Sequence, residues 1–390
     1  METPGQAGQS REARAVVLRS LEEGPRLETV TIDPPRPGEV LVRVAASGVC
    51  GSDLHVLAGR SEAMTLPVVL GHEGAGVVEA VGDGVTSVAE GDHVVIALYG
   101  PCHRCGPCSV GRFPQCEGPE RVQAIVGRMA DGSTRLRGTD GEPLHPMVGA
   151  GTLCERAVVR EAQVVRIDPA VPLELACLAG CGVTTGVGAV FNTARVEPGQ
   201  TVAVVGCGGV GLNVVQAARV AGAGAVVALD TNPAKLELAA KLGATATVTV
   251  PAGPGDGADG SGAPDIAGLL APVVPGGVDV AFEVVGQPEL IAQTFRAVRP
   301  GGTCVMVGSP PPGSTIPIDG RALFADRRVL GCLGGGNVPA RDIPRILDLY
   351  RQGRLDLDAL VSARRPLEEF AAAIDETRRG EVARSVVLLA

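Results

Sequence analysis

The sequence predicts an α/β fold in which a doubly wound parallel sheet is joined to a mostly antiparallel β-barrel that carries a cysteine-rich lobe. Three observations predict it. After Pro198, near-continuous apolar runs alternate with Ala-rich helical stretches, as strands of a parallel sheet covered on both faces require. From about Ala15 to Val95, short β-branched runs are broken by Gly and Pro, the pattern of an antiparallel, partly open barrel. Between the two, Cys102, Cys105, Cys108 and Cys116 fall within the fifteen residues CHRCGPCSVGRFPQC.

Taken in order, the runs RAVVL, TVTI, EVLVRVAASGV, GAGVVEAVG and DHVVIAL read as the barrel strands. Residues 117–152, rich in Gly, Pro and Arg, read as a long irregular connection. TVAVVG, AVVALD, VDVAFEVVG and GGTCVMVG read as parallel strands, with VGLNVVQAARVAGA, PAKLELAAKLGA and ELIAQTFRAVRP as helices between them. The low-complexity run 251–265 reads as a surface loop. IPRILDLYRQG and LEEFAAAIDETRRG read as amphipathic helices, and SVVLL as a last strand.

Bulk properties narrow the function classes. A length of 390 residues with 45% hydrophobic content suits two or three domains with buried cores. The N-terminus lacks an apolar h-region and no uninterrupted apolar run reaches about 18 residues, so neither export nor membrane insertion is expected and a cytoplasmic protein is. Eleven cysteines are then metal ligands and core thiols rather than bridges. A net charge of −9, without a basic block or aromatic ladder, argues against nucleic acid and anionic membranes as partners. Aromatics make up only 2% of the chain, so cores and any substrate pocket are aliphatic.

The cysteine lobe has the spacing of a closed site. Two C-x2-C steps and a seven-residue gap wrap four thiolates around one tetrahedral Zn²⁺, and Gly106, Pro107, Gly111 and Pro114 allow the turns. With no vacant position, such a zinc is structural. The competing reading, a disulfide knot, has no other support from the sequence.

In TVAVVGCGGVGLNVVQAARV, the glycines Gly206, Gly208, Gly209 and Gly211 follow an apolar strand and open a helix. That context suits a dinucleotide: glycine for the tight turn, for close approach of backbone to a pyrophosphate, and for helix packing, with the helix N-terminus facing negative charge. Asp230 ends the next strand, nineteen residues after Gly211. A carboxylate there accepts from a ribose 2′-OH and repels a 2′-phosphate, which favours NAD over NADP. Lys235 follows within reach of the adenosine ribose. Outside the lobe, ASGVCGSDLHVLAG, VLGHEGAGVV and ACLAGCGVTTG contribute Cys50, His72 and Cys181, two thiolates and an imidazole, the three-ligand set of a catalytic zinc with its fourth position open. Cys177 competes with Cys181 on spacing alone.

With these motifs in hand, the chain resembles the zinc-dependent medium-chain alcohol dehydrogenases, and most closely their liver-type and glutathione-dependent branch, from about Ala15 to Leu389. The resemblance implies a GroES-like catalytic domain over 1–184 with its zinc lobe at about 98–118, a Rossmann NAD-binding domain over 185–325, and a return to the catalytic domain over 326–390. It implies that Ser52 hydrogen-bonds the substrate hydroxyl, that His55 ends a proton relay to solvent, that Asp53 orients the ligand histidine, and that Glu73 stands behind the metal. It puts Thr185 and Val210 at the nicotinamide, Glu283, Val284, Val307 and Gly308 at cofactor-lining strand ends, and Arg384 at the pyrophosphate. The Gly-x-Thr-Thr-Gly pattern after Cys181 favours it over Cys177.

The expected protein is therefore an NAD-dependent alcohol dehydrogenase with two zincs per chain, one catalytic and one structural, acting on a small alcohol or aldehyde as a homodimer or homotetramer. A formaldehyde dehydrogenase dependent on mycothiol or glutathione is the alternative within enzymes. A non-catalytic NAD-binding protein and a zinc-free quinone reductase are disfavoured by the complete ligand set. Four positions depart from the family. Gly51 replaces a basic residue that would face the pyrophosphate. Glu120 stands where the glutathione-dependent branch has an arginine for the thiol's carboxylate, which argues against the glutathione adduct. Leu98 and Leu153 replace frequent phenylalanines, implying a roomier aliphatic pocket.

Overall fold

The computed structural model of the chain describes residues 9–61, 64–251 and 262–389, which form two compact units. The first unit comprises Met1–Cys181, Val338–Arg351 and Val361–Ala390. Strand Arg11–Leu18 shows why it forms: Ala13, Ala15 and Val17 face one apolar cluster while Val16 and Leu18 face another, the two-residue period of a strand buried on both faces. Arg11–Leu18, Pro25–Ile32, Leu136–Gly138, Pro143–Pro146 and Val68–Val69 close into a barrel. Beside it, a seven-stranded sheet runs in the order Val164–Arg166, His93–Ile96, Glu73–Val81, Glu39–Val49, Arg384–Leu388 and Val361–Pro366, with Arg156–Arg160 also paired to Glu39–Val49.

The barrel is closed where a partly open one is expected. The strands that complete it, LRG and PLHP, lie in the segment read as irregular, where helix Pro119–Ile125 also forms. Three- and four-residue strands with Gly and Pro show no alternation of their own; pairing to Pro25–Ile32 and Val68–Val69 makes them.

The second unit comprises Gly182–Asn337 and Gln352–Leu360. Its six parallel strands lie in the order Ala246–Thr249, Ala225–Asp230, Thr201–Val205, Val278–Glu283, Val298–Met306 and Arg328–Gly331. In chain order this is the doubly wound 3-2-1-4-5-6 arrangement, whose reversal falls beside Thr201–Val205, the strand that leads into the glycine turn. The unit extends past the expected boundary at 325, because Arg328–Gly331 is its edge strand. Gln352–Leu360 joins it as well: the Gln216 side chain accepts from Asp356 N–H at 2.6 Å and donates to Asp356 O at 3.3 Å. Of the expected loop 251–265, residues 252–261 lie outside the described residues; Asp265 caps helix Ile266–Leu270 by accepting from Gly268 N–H at 3.0 Å. Among the described residues, no single helix is long and apolar enough to cross a membrane.

Phe282, in the central strand Val278–Glu283, is with Phe295 one of the two largest fully buried side chains of this unit. Phe282→Ala is expected to destabilise the protein by about 3–5 kcal/mol. Urea unfolding followed by circular dichroism measures this, since the chain has no Trp; a loss below about 1 kcal/mol would contradict the packing described.

Candidate metal and dinucleotide sites

Four side chains converge in the first unit. Cys50 follows strand Glu39–Val49 and begins helix Gly51–Leu57; His72 and Glu73 lead into strand Glu73–Val81; Cys181 follows the turn Cys177–Gly180. Their ligand atoms all lie within 4.8 Å of one another, and all four residues are buried. Asp53, itself fully buried, organises them. Its Oδ2 accepts the Cys50 N–H at 2.9 Å, its Oδ1 accepts the Gly71 N–H at 3.1 Å, and Oδ1 stands 3.6 Å from His72 Nδ1. One carboxylate thus pins the backbone at two ligands and orients the imidazole.

The electrostatics fit a cation. Without one, a hydrogen bond from Cys181 holds the Cys50 thiol well below its ordinary value against the opposing effect of burial, with help from His72 and Arg384. Burial alone would lower His72, but Asp53 and Cys50 hold it well above the usual histidine range. Both His72 ring nitrogens are buried with no hydrogen-bond partner. Burial pushes the Glu73 carboxyl up to about 8, against the pull of Arg384. A divalent ion satisfies these sulfurs and the free ring nitrogen together, and the soft donor set suits zinc.

Of the residues expected around this cluster, Ser52 Oγ lies 4.0 Å from Cys50 Sγ, and half-buried His55 sits one turn further along the same helix. Cys177 stays outside the cluster, its thiol donating to Glu174 O at 3.3 Å, and burial raises it. Arg384, expected at a pyrophosphate, is buried beside the ligands, its Nη1 3.3 Å from Glu73 Oε1. Leu153 is a fully buried member of the first unit's larger apolar cluster, whereas Leu98 is half-buried and donates its N–H to Gly180 O at 2.9 Å. Open space surrounds the missing side chain of Gly51.

The lobe brings its four sulfurs within 4.8 Å of one another. Cys102 and Cys108 sulfurs are 4.0 Å apart, and those of Cys105 and Cys116 3.9 Å. Those distances are about twice a disulfide bond and match the ~3.8 Å edge of a tetrahedron with ~2.3 Å Zn–S arms. Backbone N–H groups point at the sulfurs: Cys102 and Gly118 donate to Cys116 Sγ at 3.3 and 3.4 Å, Cys105 to Cys102 Sγ at 3.4 Å, and Glu117 to Cys105 Sγ at 3.5 Å. Such bonds, first among them that from Arg104, bring the Cys102 thiol down to about 6, while burial lifts Cys108 to about 12.

Glu120 belongs to this lobe. It is ion-paired to Arg104, between Cys102 and Cys105, and feels the charge of buried Arg160, whose Nη2 donates to Gly100 O at 3.1 Å. Its negative charge is therefore partly offset by Arg104. Arg160 and Arg104 carry no motif, and only the folded contact reveals them.

In the second unit, Gly206 adopts φ +96°, and a Cβ on Gly211 would meet Gly206 O at 1.9 Å, so both must be glycine for strand, turn and helix Gly209–Val220 to close together. A Cβ on Gly208, the residue that begins this helix, would meet nothing within 4 Å, leaving the helix N-terminus open to an anion. Asp230 closes the turn from the side: its Oδ2 accepts the Cys207 N–H at 2.7 Å and its Oδ1 the Asn232 N–H at 2.8 Å. Each oxygen keeps a lone pair for a ribose hydroxyl. Thr185, Val210, Lys235, Val284 and Val307 are half-buried. The arrangement fits a dinucleotide.

Comparison with known proteins agrees with this chemistry. Residues 36–169 match the alcohol dehydrogenase GroES-like domain family, and residues 209–352 the zinc-binding dehydrogenase family. The chain is similar to the S-(hydroxymethyl)glutathione dehydrogenase of an Escherichia coli strain, 39% identical over 93% of this chain and 96% of that one. The protein of the same name from Synechocystis is 38% identical over 96% and 99%. Among solved structures, a zinc-binding domain alcohol dehydrogenase protein from Burkholderia ambifaria superposes with a TM-score of 0.89 at 36% identity, covering 98% of this chain and 100% of that chain. Benzyl alcohol dehydrogenase from Acinetobacter calcoaceticus does so with 0.88 at 32%, covering 97% and 100%.

Cys108→Ser is expected to release the ion of the lobe while sparing the Cys50 cluster, lowering zinc content by about one ion per chain and the thermal midpoint by several degrees. Metal analysis of the purified variant checks this, and unchanged zinc content would rule out a four-cysteine site.

Proposed function

Because the chain belongs to the zinc-dependent medium-chain alcohol dehydrogenase family and is an oxidoreductase, we propose that it oxidises primary or secondary alcohols to aldehydes or ketones with NAD⁺. The observation that carries this reading is the buried Cys50, His72 and Cys181 cluster with the Ser52 hydroxyl 4.0 Å from the Cys50 sulfur. When bound, zinc supplies the Lewis acidity that makes an alcohol hydroxyl acidic near neutrality, and NAD⁺ supplies the hydride acceptor.

The chain's own residues do the rest. Cys50, His72 and Cys181 hold the catalytic zinc, and Asp53 fixes their geometry. Ser52 would accept the proton of the substrate hydroxyl as it gives up its own toward the nicotinamide ribose, and His55, three residues on and on the same helix face, would take the proton from there to solvent. Cys102, Cys105, Cys108 and Cys116 hold a second, structural zinc. Asp230 selects NAD⁺ by repelling the 2′-phosphate of NADP⁺. The edge strand Arg328–Gly331, which ends the parallel sheet, supports a homodimer or homotetramer.

A second reading is favoured by the names of the curated relatives: oxidation of the hydroxymethyl adduct that formaldehyde forms with a thiol such as glutathione or mycothiol. That adduct is itself a primary alcohol, so the same cluster serves it. Glu120, in place of an arginine, still supplies no positive charge for a glutathione carboxylate, since it is ion-paired to Arg104.

One set of assays separates the readings: NADH formation from aliphatic and benzylic alcohols, and from formaldehyde with and without each thiol, each repeated with NADP⁺. Turnover of free alcohols with NAD⁺ supports the first reading, and activity confined to formaldehyde plus thiol replaces it with the second. Preference for NADP⁺ would overturn the role of Asp230. Ser52→Ala is expected to lower kcat/KM at least about 100-fold while the Kd for NADH stays unchanged, and undiminished turnover would sink the relay.

A further inference from the structure

Glu283 ends the strand Val278–Glu283, in register with Val205, the residue before the glycine turn, on one side and with Met306 on the other. Its side chain is fully buried. Oε1 accepts two backbone bonds, from Val285 N–H at 3.0 Å and Gly286 N–H at 2.8 Å, and so clasps the turn that follows. That turn lies against the dinucleotide loop: a Cβ on Gly206 would meet Val285 Cγ2 at 2.7 Å and the Val284 carbonyl carbon at 3.4 Å. The Glu283 carbonyl meanwhile accepts from Val307 N–H at 2.8 Å and Gly308 N–H at 3.0 Å. One residue therefore ties together two strand-end loops and sets them against the glycine turn.

Its other carboxyl oxygen, Oε2, is buried with no hydrogen-bond partner. No ion pair reaches Glu283 among the described residues. The groups packed around it do not supply a counter-charge. Cys304, on the neighbouring strand, is a thiol that burial keeps protonated and that senses the Glu283 charge. Cys207 in the glycine turn is likewise held up by burial, to about 12, and Asp230 lies one strand beyond. The charged residues of helix Pro288–Arg296 are Glu289 and Arg296, and Asp279, at the far end of the Glu283 strand, is paired to Arg299. Burial lifts the Glu283 carboxyl to about 7, opposed only by backbone N–H groups.

We propose that Glu283 is a proton-linked positioning residue of the dinucleotide site: Oε1 holds the Val284–Gly286 turn against Gly206, and Oε2 carries a proton when the anionic diphosphate is bound. The physical reason is charge. An ionised Glu283 puts a negative charge, met by the backbone N–H groups of Val285, Gly286 and Gln287 but by no cation, in a low-dielectric sheet beside the loop that must accept a diphosphate, and protonation removes it. Binding and protonation then favour each other reciprocally. With the free carboxyl titrating near 7, the bound one titrates higher, so affinity is full below that range and declines as pH rises through it. The inference rests on the dinucleotide reading of the glycine turn.

ADP-ribose is the probe, because its diphosphate stays fully ionised across the range and it lacks the nicotinamide that would bring other groups into play. Calorimetry in two buffers of different ionisation enthalpy is expected to show proton uptake on binding near neutrality, and a Kd that rises about fivefold from about pH 6 to about pH 8.5. Glu283→Gln, which keeps the Oε1 acceptor without the charge, is expected to hold the low-pH affinity throughout with no proton uptake. Glu283→Ala, which loses the clasp, is expected to bind more weakly at every pH. The same pH slope in Glu283→Gln as in the native protein, or no proton uptake by the native protein, overturns the proposal. ADP-ribose that fails to bind the native protein removes the dinucleotide reading itself, and this inference with it.

Discussion

Cys50, Asp53, His72, Glu73 and Arg384 are ionisable side chains buried together in the first unit, and that unit depends on their charges being balanced. Burying an unpaired ion costs several kcal/mol, so each needs a partner held in place by backbone. Asp53 provides most of the hold. By accepting N–H groups from Cys50 and Gly71, it ties the end of strand Glu39–Val49 to the residue before His72. Arg384 comes from strand Arg384–Leu388, near the other end of the chain, to face Glu73. The metal cluster is thus the point at which remote segments of the unit are locked in register.

The lobe answers the same problem differently. Four thiolates around the divalent ion they fit would leave a net charge of about −2. That charge is met by backbone N–H groups from Cys102, Cys105, Glu117 and Gly118, and by Arg104 and Arg160 nearby. Glu120 completes the balance through Arg104, which explains how an acid is tolerated beside a cluster of thiolates. In the parallel sheet, the polar demands fall at the strand ends, where Asp230 and Glu283 accept the N–H groups of the loops that face a ligand.

Much of this was legible in the residues. The glycine turn and the alternation of strand and helix around it identify the parallel sheet, because each glycine answers a local steric demand and each apolar strand is buried on both faces. The lobe is legible because its four ligands are local in sequence. The barrel strands Leu136–Gly138 and Pro143–Pro146 were not, since three or four residues containing Gly and Pro have no periodicity until neighbours pair with them. Nor was the role of Glu120, whose charge could be read but whose partners could not. Leu153, read as a pocket residue, is fully buried.

By itself the sequence determined the two architectures, the identity of the donor atoms and the chemistry those atoms support. These follow from local spacing, residue type and periodicity, which need no knowledge of distant contacts. Only the tertiary structure decided which cysteine joins His72, where Arg384 and Glu120 spend their charge, and that Glu283 keeps a buried oxygen without a partner. Those outcomes depend on burial and on partners brought from remote parts of the chain, and solvation and Coulomb energies at such positions exist only once the chain has folded.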